Sequence, residues 1–414
     1  MQETGKYALR RDLPAIAGGK PVRQSPLRFS EPSIDDEDIE KVKAVLKRGK
    51  LCAGPKVREL EERFAALAGA RYAVAVSSGT AALHAACYAA GVGRGEEVIT
   101  TPLAFGGFVN APLYLGAKPV FADVDERSLN ISPEEVERNI TEKTCAVIAV
   151  HFAGRPCDLE GIHAVAGRHN LAVVEDATGA LGATYKGRPV GSTSLVAAFG
   201  FHPEATITSG AGGVVITSDE EAYRWLRLFT NFGIVKEETK LVNRREGPWH
   251  YEIQELGFDY RPTEIQAALA LSQLDKLDFF LKRRREIATR YNEGFSDLPY
   301  LETPPEEPNG EQAWNLYVLR LKRERLRAGR KQVFLALQAE GIDVGVHYLP
   351  AYLHPLHGWL GDPNVCTLGQ DPPCPKAEDI YRTIITLPLF PKMTETDVED
   401  VIRAVRKVVT FFGR

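Results

Sequence analysis

Between Tyr72 and Thr217 the chain alternates between two rhythms. Short runs rich in Val and Ile (YAVAV at 72–76, EVIT at 97–100, KPVFADV at 118–124, CAVIAV at 145–150, LAVVE at 171–175, GGVVIT at 212–217) are separated by stretches whose apolar residues recur at helical spacing. Strands alternating with helices, with too few polar positions for one wet face, predict a mainly parallel sheet covered on both sides. Two amphipathic helices precede it. Ser33 to Asp36 resembles a capping box, followed by a stripe of Ile39, Val42, Val45 and Leu46; Val57, Leu60, Phe64 and Leu67 form the second stripe. Thr263 to Asn292 reads as one long helix that opens on Thr263 and Glu264 and crosses toward a smaller unit. There NLYVLRL and IDVGVHY read as strands, KQVFLALQAEGI and TETDVEDVIRAVRKVV as helices. The expected organisation is an N-terminal arm over 1–33, a large domain over 34–280 and a small C-terminal α/β domain over 281–414, with no internal repeat.

Composition narrows the function classes. Against 55 acidic residues stand 51 Lys and Arg, a formal charge of −4 over 414 residues, so no nucleic-acid or anionic-membrane partner is expected. No apolar run approaches the ~20 residues that span a bilayer, and the first residues carry scattered charges rather than a signal-peptide core, so a cytoplasmic location is expected. The six cysteines (52, 87, 145, 157, 366, 374) form no CxxC pair; neither a disulfide framework nor a zinc site is expected, and no metal is assigned. Cys145 and Cys157 read as structural, Cys366 and Cys374 as too isolated for a redox pair. The basic run 282–285 (KRRR) reads as the solvated face of a helix.

Three segments carry candidate chemistry. Ser77-Ser78-Gly79-Thr80 turns from a strand directly into an Ala-rich helix, where free N–H groups and the helix dipole suit a phosphate; capping of a core helix is the competing reading. Glu175 and Asp176 end an apolar strand, the edge where parallel α/β sheets place ligands, and an acid there can pair with a protonated ring nitrogen, a metal or a ribose. Phe199, Phe201 and His202 lie on another strand that runs into a Gly/Ser/Thr loop.

The order of SSGTAALH, PLAFGGFVNAPLYLGAKPVFADVD, HFAGRPCDL, VVEDATGALGATYKGRPVG, AAFGFHPEATITSGAGGVVIT, GFDYRPTEIQAALALSQLDKLD and VHYLPAYLHP resembles the DegT/DnrJ/EryC1/StrS sugar aminotransferases, from about Ile34 to the C-terminus. The resemblance implies a fold-type I pyridoxal-phosphate (PLP) architecture: a mostly parallel seven-stranded sheet in α/β/α layers, a smaller C-terminal α/β domain, and a homodimer with active sites at its interface. It also implies roles. Gly79 and Thr80, beside Ser78, match the phosphate turn, Phe105 the aromatic residue that stacks on the cofactor ring, and Asp176 the acid that keeps the ring nitrogen protonated. His202 matches the histidine three residues before the Schiff-base lysine.

That lysine position is Ala205, and no Lys occurs from Val190 to Arg224. A methyl group can neither hold the cofactor's aldehyde nor move the proton on the substrate carbon. Gly179, Ala104, Gly200 and Ala211 also depart from the pattern. Asp259 replaces an Asn that reaches the phosphate in the partner subunit. A carboxylate about 4 Å from a phosphate charge costs roughly 4 kcal/mol at an effective dielectric near 20, about a thousandfold in affinity.

The sequence therefore leads to a homologue that takes no cofactor and binds or modifies a sugar or nucleotide-sugar without PLP. Asp176, His202 and Glu204 are its candidate catalytic groups, His151 a further one, and His347 and Tyr348 substrate contacts. Two alternatives stand beside it: an ordinary PLP-dependent nucleotide-sugar aminotransferase whose lysine is replaced by Ala205, and a non-catalytic partner subunit of an active relative.

Overall fold

Local signals fix most helix ends in the computed structural model, which describes residues 13–243, 246–359 and 372–414. Helix α1 (Asp36–Arg48) is opened by a capping box, but its partners are Asp35 and Asp38 rather than Ser33 and Asp36. Helix α2 (Pro55–Ala68) starts on Pro at its first turn and stops at Gly69 with φ 67°. Of the α1 stripe only Val45 is buried; Ile39 and Leu46 stay half exposed. The α2 stripe does face inward at Leu60 and Phe64, and Phe64 meets Phe199 and Phe201 at 5.0 and 5.6 Å. Burial of side chains of this size stabilises by ~1.5–3 kcal/mol each, which holds α2 on the sheet.

The sheet has seven strands: β1 (Tyr72–Val76), β2 (Glu97–Thr100), β3 (Lys118–Phe121), β4 (Thr144–Val150), β5 (Ala172–Asp176), β6 (Val196–Gly200) and β7 (Gly213–Thr217). Their spatial order is β1-β7-β6-β5-β4-β2-β3, with β7 antiparallel to both neighbours and the remaining pairs parallel. This is the mostly parallel sheet that the Val/Ile runs predict. The run at 118–124 ends early because Asp123 turns away to accept the N–H groups of Lys376 and Ala377 at the start of another helix.

The expected long helix is two: α5 (Glu264–Leu274), capped by Thr263 with Gln266, and α6 (Leu277–Phe295). Lys276 leaves helical dihedrals between them, and its ammonium reaches Asp35 and Asp38, each at 2.7 Å. A separate three-stranded antiparallel sheet orders β8 (Leu301–Glu302), β9 (Tyr317–Leu321) and β10 (Ile384–Leu387). Its core includes Tyr291, Tyr317, Leu319 and Val405. The expected strand IDVGVHY forms only isolated bridges at Ile342 and Gly345; ITL at 385–387 takes its place beside β9. The amphipathic pattern near the C-terminus is helix α7 (Glu395–Phe412). Among the described residues no helix is long and apolar enough to cross a membrane. Cys366 and the first twelve residues of the expected arm lie outside the described residues.

Candidate functional site

The C-terminal ends of β1, β5 and β6 converge. After β1, Ser78 caps helix α3 (Gly79–Ala89) by accepting the Ala81 N–H at 3.1 Å. The N–H groups of Gly79 and Thr80 keep no hydrogen-bond partner among the described residues. Two such donors at the positive end of a helix can take an anion. Gly200, the last residue of β6, lies directly against it: a Cβ there would stand 3.1 Å from Gly79 Cα and 3.0 Å from Thr178 Cγ2. The glycine is thus explained by close packing of the Gly79 turn and Thr178 on β6.

Asp176 ends β5 almost fully buried. One carboxylate oxygen accepts the Thr178 N–H at 3.1 Å. Burial, offset only in part by Thr178, holds the carboxyl above its usual range. No cation pairs with Asp176 among the described residues, so a protonated ring nitrogen would supply what this carboxylate lacks.

Glu175 and His151 face elsewhere. His151 Nε2 lies 2.9 Å from Glu175 Oε2, and its Nδ1 accepts the Cys157 N–H at 3.0 Å, so the proton sits on Nε2 and both ring nitrogens are engaged. His151 and the Gly191 N–H hold the Glu175 carboxyl below its usual range against burial. The expectation that His151 serves proton transfer in the cavity is therefore corrected: it is a buried structural pair.

His202 and Glu204 follow β6 on a tight turn in which the Ala205 N–H donates to the His202 carbonyl at 2.9 Å. Both side chains are exposed and Ala205 is half-buried. Tyr348 brings this turn and Asp176 together: burial, followed by the nearby charges of Glu204 and Asp176, pushes its phenol up. Tyr348 meets Phe105 edge-on at 6.2 Å. Phe105, just before helix α4 (Gly106–Tyr114), leaves half its surface open, and the two rings border a cleft of about 370 Å³ that Asn110, Leu349 and His354 also line. His347 is turned away. It stacks on Phe29 at 5.2 Å, its Nδ1 bonds the Thr386 hydroxyl at 2.9 Å, and burial pushes its imidazole down to about 4. Unlike Tyr348, it does not line this cleft.

Asp259 is not the bare opposing charge expected from sequence. Arg261 grips it through two bonds of 2.7 and 3.0 Å and holds its carboxyl below the usual range. The pair is nearly neutral, so the thousandfold penalty does not apply in full.

A family model matches residues 32–406: the DegT/DnrJ/EryC1/StrS aminotransferase family. The chain belongs to this family. It is 41% identical over 388 residues to the spore coat polysaccharide biosynthesis protein SpsC of Bacillus subtilis, covering 92% of this chain and 97% of SpsC. The putative sugar aminotransferase Spr1654 of Streptococcus pneumoniae, solved in a PMP-form, superposes with a TM-score of 0.86 at 29% identity, over 93% of this chain and 100% of that one. DesI, solved in the presence of its TDP-sugar product, superposes with a TM-score of 0.82 at 29% identity, over 96% and 95%.

The fold is thus the fold-type I aminotransferase fold. Family membership also overturns one expectation: a chain that takes no cofactor. The family is one of aminotransferases, and Spr1654 has been solved with the cofactor in both its PLP and PMP forms. Of the two features that weigh against a cofactor in the sequence, the missing tether and the Asp259 charge, the second is paired with Arg261. Two features were missed from sequence. Arg284, read as part of a solvated basic face, is 2% exposed, and the amide of Asn315 lies against Gly179.

Proposed function

We propose that this chain is a nucleotide-sugar aminotransferase homologue whose cofactor, pyridoxal or pyridoxamine phosphate, is held without a covalent bond to the protein. One observation carries the reading. A free pair of N–H donors at Gly79 and Thr80 and a buried Asp176 without a cation flank one strand-end site, and they complement the phosphate and the ring nitrogen of that cofactor. Phe105, half exposed beside the cleft, would meet the ring, and the Asp259–Arg261 pair of a second copy would approach the phosphate. The bound group supplies the electron sink for exchange of an amino group with a keto-sugar. The cleft beside Phe105 and Tyr348 receives the sugar.

Ala205 stands where the family pattern carries lysine. Its methyl group moves no proton, so binding persists while amino-group exchange is slow. The exposed His202 and Glu204 are the titratable groups on the same turn as Ala205. A homodimer fits the exposed apolar residues of one segment, Val242, Trp249, Tyr251, Ile253 and Leu256, each more than half exposed in the single chain. The TDP-sugar named with DesI and the polysaccharide role named for SpsC support a nucleotide-linked sugar as ligand. Calorimetric titration with pyridoxamine phosphate and then with a TDP-keto-sugar tests the proposal. Saturable binding of both supports it, and absence of either overturns it.

A further inference from the structure

We infer that a second small-molecule site lies in the crevice between the large domain and the C-terminal unit, and that it takes a neutral ring, phenol or lactam in kind, carrying one O–H or N–H donor. The inference is independent of the cofactor reading. The crevice holds about 240 Å³, and none of its lining residues belongs to the strand-end site. One wall comes from two loops of the large domain, 126–129 after β3 and 152–155 after β4. Asn130 ties these loops together: its Nδ2 donates to the carbonyls of Arg155 and Pro156 at 3.2 and 2.8 Å, and its Oδ1 accepts the Phe152 N–H at 2.9 Å. The other wall is β9 with the residue before it. Side chains alternate between the faces of a strand, so Leu316, Val318 and Arg320 come to the same side. Two arginines strap the walls together. Arg320 Nη1 donates to the Glu126 carbonyl at 2.9 Å, and the buried Arg155 pairs with Glu307 at 2.8 Å.

Size, one bare acceptor and charge balance define the occupant. Leu129, Phe152, Leu316 and Val318 are each at most 8% exposed and make the floor apolar. An apolar cavity of about 150 Å³ already accepts benzene, so this one has room for a substituted ring. Gln312, 7% exposed, lines the same space. Its Nε2 donates to the Ala153 carbonyl at 3.4 Å, which sets the orientation of the amide, and its Oε1 has no hydrogen-bond partner among the described residues. A buried carbonyl oxygen without a donor is rare in a folded chain, and only an O–H or N–H satisfies it. The wall is also built at a cost. Leu129 and Ala153 sit at φ 63° and 56°, in the left-handed region that residues with a side chain rarely adopt. These two conformations set the Leu129 side chain in the floor and the carbonyl that orients Gln312. The rim carries Arg127 and Arg320 with Glu126 and Glu302, two charges of each sign, and Arg155 is matched by Glu307. Balanced charge favours neither an anion nor a cation over a neutral molecule.

The test uses the full chain, with phenol and toluene as calorimetric probes: rings of equal size, of which only the first has a donor. Phenol should bind saturably and about tenfold tighter than toluene, the difference one buried hydrogen bond makes. Q312L removes the acceptor while keeping an apolar side chain of similar length, and should bring the two probes to within about twofold of each other. V318W fills the cavity and should abolish binding of both, with far-UV circular dichroism reporting the fold; Q312L carries the test if V318W does not fold. No saturable phenol binding at millimolar concentration, with water as the only occupant, overturns the inference. Equal affinity of the native chain for both probes, or a phenol preference that survives Q312L, overturns it as well. None of these outcomes bears on the proposed cofactor, which the pyridoxamine phosphate titration decides separately.

Discussion

Replacing Asp176 by Asn separates what this carboxylate does for folding from what it does for a ligand. In the ligand-free chain the group is buried with only the backbone N–H and side chain of Thr178 bonded to it, and burial raises its pKa. For an acid whose folded pKa lies above its unfolded value, the folded state binds more protons in the window between the two. Stability is therefore highest below the unfolded value, near 3.8, and falls as pH rises through the folded value. Asn cannot ionise, so D176N should lose this pH dependence and should melt no lower than the native chain at neutral pH. Binding should move the other way. A hydrogen bond between ionised partners contributes ~1.5–3 kcal/mol, so loss of the pairing with a protonated ring nitrogen should weaken pyridoxamine phosphate by about ten- to 150-fold. Calorimetry at neutral pH and melting across pH 4 to 8 read the two arms. Unchanged affinity, or a melting temperature several degrees below native, would refute the assignment of Asp176 as the ring-nitrogen partner.

Other outcomes follow from named contacts. A205K should place an amine beside the cofactor, give a visible absorbance band on addition of PLP, and raise amino transfer from glutamate to a keto-sugar above the native chain's rate; a featureless spectrum would count against Ala205 as the tether position. K276M leaves the buried Asp38 carboxylate without its cation, and should destabilise by about 3 kcal/mol in urea melts. G154A forces a Cβ to within 2.7 Å of the Gly179 carbonyl oxygen at a positive φ, and should cost about 2–4 kcal/mol together with much of the pyridoxamine phosphate affinity. W249E combined with L256K charges two of the most exposed apolar residues, and should shift sedimentation from dimer to monomer while the far-UV circular dichroism stays native.

The strand-end site was legible because its signals are local. A strand running into Ser-Gly-Thr and a strand closing on Glu-Asp need only a parallel sheet to be brought together, and the Val/Ile runs specify that sheet. What escaped depends on tertiary partners. Arg284 reads as solvated because three of its sequence neighbours are basic, yet it faces the carbonyls of Trp314, Asn315 and Leu389, up to 105 residues away. His151 reads as a pocket group from its place after β4, but the Cys157 N–H six residues on takes its Nδ1 and turns it into the protein. Asp259 reads as a hostile charge until Arg261, two residues later, is seen to grip it. Gly179 and Gly200 read as an emptied pocket; the first lies against the Asn315 side chain, and the second sits where Gly79 and Thr178 leave little space for a side chain.

A direct trial of the account incubates the purified chain with PLP, reduces with borohydride and dialyses under denaturing conditions. Saturable uptake before reduction, with no stoichiometric cofactor left on the polypeptide afterwards, is the predicted result. Stoichiometric retention after reduction, or no uptake beforehand, would contradict a cofactor held without a covalent bond to the protein.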